Sequence, residues 1–198
     1  AVGANKIGLT KGEFVLTSQL KLSKPVSISG VITDKDTTTI VAAAAGAWTQ
    51  CADKNDSTLL NIVSSDKVSL NNLNIKNSQR NGINIFESKG VTLNNVSVSN
   101  SKAAGLVINS STVAATNFRT SGSGWGYGVN VDKGSNPTQG APDPVFTIGS
   151  GCSFAEAVAI VSDKKDAPAS YVVGNGWFKT TKGEASVWIN GATSGLNF

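Results

Sequence analysis

The chain has 198 residues, of which 15% are charged and 39% hydrophobic, and its formal net charge is +4. That length gives one domain with a real core and is short for two, and the apolar content excludes a disordered tail. No apolar run nears the ~20 residues that span a bilayer, and the positive charge is scattered Lys with only Arg80 and Arg119 beside it, which argues against a nucleic-acid face.

Residues 11–30, KGEFVLTSQLKLSKPVSISG, alternate apolar and polar side chains in short runs broken by Ser and Pro. That is the pattern of half-buried strands separated by turns. Over 33–58 a single strand is expected at Thr39–Val41. The rest, about 42–58, reads as a long loop carrying Trp48 and Cys51.

From residue 60 the chain repeats itself. Gly82, Gly105 and Gly128 recur every 23 residues, as do Leu60, Ile83, Leu106 and Val129, and Ile62, Ile85, Ile108 and Val131. Residues 60–82 align with 83–105 without a gap; 106–128 match with one residue lost in the middle and restored later. Within a repeat the apolar period is two, not 3.6: Ile83 and Ile85 flank Asn84, Val91 and Leu93 flank Thr92, Val96 and Val98 flank Ser97. Each repeat therefore reads as three short strands, each wet on one face. Three such strands bury no core alone, but they do when the repeat closes into a coil and coils stack about 4.8 Å apart.

Asn72, Asn95 and Asn117 fall in the bend between second and third strands, where Asn accepts a left-handed backbone. Stacked, their amides form a ladder, and the column is structural. Residues 133–144 form a second long loop, in which Pro137, Pro142 and Pro144 block regular structure. Strands resume over 145–198 with irregular spacing, and a short helix is expected near Phe154–Ala159. The whole is one domain over 1–198, with regular coils at about 59–132 and distorted C-terminal coils. Cys51 and Cys152 cannot make a zinc site alone; a disulfide and two buried thiols both remain open.

These repeats, with their Asn column and the Gly-aromatic-x-Leu, Lys-Pro and Val-x-Ile-x-Gly pattern of 11–30, resemble the pectin-lyase-like superfamily. The resemblance implies an all-β, right-handed parallel β-helix of about 23 residues and three strands per coil, with seven or eight coils. The helix that usually caps the first coil has no counterpart, and the chain has no Met, so it reads as a mature secreted form or an excised fragment. Open coil ends make end-to-end self-association a further expectation.

The chain has no His, which excludes Ser-His-Asp and Cys-His chemistry and removes the commonest general base and metal ligand. In the resembled superfamily, sites lie outside the first strand of each coil and in the loop before it. That face would carry Arg80, Asn84, Lys102, Trp125, Tyr127, Asn130 and Asp132 as a shallow groove. An exposed aromatic offers sugars a flat apolar face, Asn and Asp bond hydroxyls, and Arg or Lys pair with uronate carboxylates. Trp125 is either such a platform or a plug on the coil edge.

A uronate lyase would need a base, a carboxylate neutraliser and often Ca²⁺ held by several acids. Arg80 and Lys102 are of the right type, but Asp132 has no acidic neighbour on its face, and Arg119 lies on another strand. A polygalacturonase-type hydrolase is set aside, since it would need grouped Asp and a His. The column Ser69, Thr92, Ala114 lacks the regular Thr of an ice-binding face. The expectation is a secreted or cell-surface module, non-catalytic, that contacts polysaccharide or another cell-surface polymer, or forms part of an extracellular structural or adhesive assembly. It has no resident metal or cofactor. The alternative is a uronate polysaccharide lyase, for which alone Ca²⁺ is expected.

Overall fold

The computed structural model of the chain describes residues 5–49, 57–132, 138–161, 169–173, 187–190 and 193–194. Seven parallel strands form one sheet, in the spatial order Leu20–Leu22, Leu60–Val63, Ile83–Phe86, Leu106–Asn109, Tyr127–Asp132, Ala157–Val161 and Val187–Asn190. A twelve-stranded sheet forms the other sides of the coils. The chain is thus a parallel β-helix.

The 23-residue spacing is the register from rung to rung: Leu60 lies beside Ile83, Ile83 beside Leu106, and Leu106 beside Val129. In the third repeat the offset drops to 22, where Val113 lies beside Val91 and Arg119 beside Ser97. The one-residue gap in the alignment sits at that place. Alternation does what period two requires. Leu60, Ile62, Ile83, Ile85, Leu106, Ile108, Val129 and Val131 are all fully buried, in two columns. Leu70, Leu73, Ile75, Leu93, Val96 and Val98 close the core from the other sheet. Each such side chain contributes about 1.5–3 kcal/mol of burial, and none could be buried by its own coil alone. Beyond the regular repeats Phe118, Phe146 and Phe154 fill the core, with ring centroids 6.2 and 6.4 Å apart.

The glycine column has a steric cause. A Cβ on Gly82 would lie 2.2 Å from Val98 Cγ1 and 2.8 Å from the Gly105 carbonyl; one on Gly105 would lie 2.7 Å from the Gly128 carbonyl. Coils stacked at strand spacing leave no room there.

The bends carry left-handed Asn residues. Asn72, Asn95 and Asn117 have φ of 53°, 53° and 51°, and Asn95 Nδ2 donates to Asn72 Oδ1 at 2.9 Å. In two coils this bend does not end the strand, since Ser69–Lys76 and Val91–Ser99 each run through it. Three further amide ladders share the 23-residue step: Asn84 to Asn61, Asn94 to Asn71 and Asn100 to Asn77.

The first strand of the long insertion is Thr38–Ala42, two residues longer than expected. After it come a short 3₁₀ turn, Ala45–Ala47, and Trp48, which is buried against the core. The segment near Phe154–Ala159 is not helical. It is divided between the strands Ser153–Phe154 and Ala157–Val161, because the rungs below, Arg119–Thr120 and Tyr127–Asp132, impose their pairing on it. Cys152 is a buried free thiol, and burial pushes its pKa up; Cys51 lies outside the described residues. Of the second long loop, residues 133–137 are outside too. Thr138 ties the rest back, donating through its N–H and hydroxyl to the Glu87 carboxylate. Among the described residues no helix is long and apolar enough to cross a membrane.

Candidate functional site

The outer face of the seven-stranded sheet carries one row set by strand register: Asn61, Asn84, Val107 and Asn130. Two residues on, Phe86, Asn109 and Asp132 make a parallel row. These rows floor a cleft of about 270 Å³, lined by Thr58, Arg80, Asn81, Asn84, Val107, Asn109, Trp125, Asn130 and Asp132.

Trp125 stands in the wall and is 54% exposed, so it is no plug of the coil edge. The turn before the Tyr127–Asp132 strand projects it, and Gly126, with φ 78°, reverses the chain just after it. Arg80 reaches over from the turn two repeats earlier, its guanidinium carbon 5.6 Å from the ring centroid. Such a contact is worth about 0.5–1 kcal/mol in the open and orients both groups.

The floor is built from amides. Asn84 Nδ2 donates to Asn61 Oδ1 at 2.9 Å, and Asn61 Nδ2 to Gln19 Oε1 at 3.1 Å. Val107, only 6% exposed, interrupts the row with a small apolar patch. Beyond it Asn130 Nδ2 donates to Asp132 Oδ2 at 3.4 Å. In the amide orientation that satisfies both groups, Asn109 Nδ2 lies 3.2 Å from each Asp132 oxygen. Asp132 is thus a carboxylate held by two side-chain donors.

The structure brings Arg80, Asn84, Trp125, Asn130 and Asp132 together in one cleft. Lys102 and Tyr127 are not among its lining. Lys102 is exposed, on a turn whose backbone is committed to stacking: its N–H donates to the Ser78 carbonyl. The face contributes four residues that sequence reasoning did not select: Thr58, Asn81, Val107 and Asn109. The alternation that singles out Asp132, two residues after Asn130, also picks out Asn109, two after Val107. Asn81 stands one place before the glycine column and is held there by accepting the Ala104 N–H at 3.2 Å.

The crystal structure of a putative glycosyl hydrolase from Parabacteroides merdae ATCC 43184 is similar to the chain, with a TM-score of 0.65 and 11% sequence identity, over 92% of this chain and 83% of that one. An alginate lyase from Paenibacillus sp. str. FPU-7 gives a TM-score of 0.45 at 11% identity, over 98% of this chain and 93% of that one. Pectate lyase Pel9A gives 0.44 at 11%, over 93% and 71%. The last two are too distant to carry an argument. No protein-family profile and no curated protein matches the sequence. The first likeness and the stacked parallel rungs show the parallel β-helix, and they show the fold alone.

Proposed function

We propose that the cleft between Arg80 and Asp132 binds polysaccharide, and that the chain is a secreted or cell-surface module which contacts that polymer without cleaving it. The observation that carries this reading is the exposed Trp125 ring, oriented by Arg80, above a floor of Asn84, Asn109 and Asn130 with the Val107 patch between them. A pyranose has an apolar CH face and a rim of hydroxyls, and a ring beside amides answers both. The likeness to a structure called a glycosyl hydrolase is one of fold, so the reading stands on the cleft's own residues.

The lyase reading is the alternative, and the carboxylate count favours binding, because a Ca²⁺-assisted elimination calls for several acids. Asp132 is the single carboxylate in the lining, and two amides hold it as an acceptor.

Tryptophan fluorescence titrated with polygalacturonate, alginate and xylan tests the proposal. At least one polymer should bind, and Trp125→Ala should weaken it at least about tenfold, or about 1.4 kcal/mol, with an unchanged circular dichroism spectrum. Equal affinity of wild type and variant would overturn the cleft. A parallel absorbance assay for unsaturated uronate, with and without Ca²⁺, decides catalysis. A rising signal would establish the lyase and turn attention to Arg80, Lys102 and Asp132.

A further inference from the structure

The stretch that bears Trp125 runs Ser121, Gly122, Ser123, Gly124, Trp125, Gly126, Tyr127, Gly128, with glycine at every second position. Such a segment has little stiffness of its own. Part of what fixes it comes from the preceding coil: Gly124 N–H donates to the Ser101 carbonyl at 2.9 Å, and Trp125 N–H to Ala103 at 3.4 Å. On its other side lies Glu156, from the following coil. It is 5% exposed and is the only buried charged side chain among the described residues. Its Oε1 accepts the Ser123 N–H at 3.0 Å, and its Oε2 the Thr120 hydroxyl at 3.4 Å. Gly128 makes the space: a Cβ there would lie 2.2 Å from Thr120 Oγ1 and 3.3 Å from Glu156 Oε2.

Burying a carboxylate is costly unless donors meet it. A purely packing role would be filled more cheaply by an apolar residue. What only an acceptor can do here is capture the N–H of Ser123, two residues before Trp125. We propose that Glu156 is the positioning residue of the cleft: it pins the glycine-rich turn from the next coil and so holds the Trp125 ring at the angle at which Arg80 meets it. Its consequence for glycan affinity rests on the function proposed above; its effect on the ring does not.

The test therefore begins without ligand. ¹⁵N relaxation of the Trp125 indole N–H and hydrogen exchange at the Ser123 amide are compared in wild type, Glu156→Ala and Glu156→Gln. In wild type and in Glu156→Gln, which keeps an acceptor, the indole should be rigid, with an order parameter near about 0.85. In Glu156→Ala it should fall below about 0.6, and exchange at Ser123 should quicken at least about tenfold. Affinity for polygalacturonate should follow the same order, Glu156→Ala losing about tenfold and Glu156→Gln less than about threefold. If Glu156→Ala does not fold, Glu156→Asp, whose carboxylate falls one methylene short of Ser123, carries the same expectation. A lowered melting temperature with an indole as rigid as in wild type would overturn the proposal, because Glu156 would then support the coil only. Wild-type protein that binds no glycan would sink the cleft's function, while the relaxation data would still decide the role of Glu156.

Discussion

Asn95 meets two demands with one side chain. Its backbone is left-handed, φ 53°, so that the chain turns within the strand Val91–Ser99, and its amide donates to Asn72 in the coil below. Glycine would meet the first demand and alanine neither. A non-glycine residue without local polar compensation pays roughly 1–2 kcal/mol in this region, and the lost ladder bond adds about 1 kcal/mol. Urea unfolding midpoints should therefore fall in the order wild type, Asn95→Gly, Asn95→Ala, with the alanine variant down by about 2 kcal/mol. If both variants lost the same amount, the backbone angle would be irrelevant and the ladder bond would be the whole effect. The sequence shows this column because bend, residue type and spacing coincide. The ladders at Asn77–Asn100 and Asn71–Asn94 have the same spacing, but there Asn is hard to tell from ordinary surface polarity.

Coil stacking makes the same kind of demand on the backbone. Gly105 has an ordinary backbone angle, yet a Cβ there would press on the Gly128 carbonyl at 2.7 Å and on Thr120 at 3.0 Å. Neither neighbour can yield without parting two hydrogen-bonded rungs. Gly105→Ala should cost about 2–3 kcal/mol, while Gly46→Ala, whose Cβ would meet nothing within 4 Å, should be nearly neutral. Thermal melts of the two variants check this; similar melting temperatures would mean that the coils can part locally. Period, strand faces and the gap in the third repeat were all legible for this reason: between 60 and 131 the stacked first strands keep the 23-residue step, so the constraint is written at each of those rungs. Where the period lapses, legibility lapses too. The run Phe154–Ala159 is rich in Ala with a Glu, good helix formers, and only its pairing with the rungs below makes it strand. The cleft was half legible. Strand positions such as Asn84, Asn130 and Asp132 follow from alternation, whereas Lys102 sits on a turn and Tyr127 opens its strand just before a register shift, and there spacing does not fix which side chains share a cavity.

The solenoid as a whole separates stability from function in a way that can be tested by adding rungs. Residues 60–82 and 83–105 are both complete coils, with Leu60 beside Ile83 and Ile83 beside Leu106 in unbroken register. A duplicated coil of either kind meets its own copy in that register and buries the same columns, so both duplications should fold and give longer β-helices. Their effects on the cleft differ. A second copy of 60–82 adds a rung below the cleft and leaves an Arg80 at its native distance of two coils from Trp125, with Asn81 of the first copy taking the place of Thr58. A second copy of 83–105, inserted after Gly105, brings its own Asn84 to the floor beside Val107 but moves Arg80 away from Trp125 by one further rung, about 4.8 Å. That breaks the 5.6 Å contact between guanidinium and ring and leaves the amide floor intact. The first duplicate should bind polysaccharide as wild type does, and the second should lose at least about tenfold in the same fluorescence titration. Matching affinities in both would place binding elsewhere on the solenoid, because no site spanning Arg80 and Trp125 survives the insertion of a coil between them.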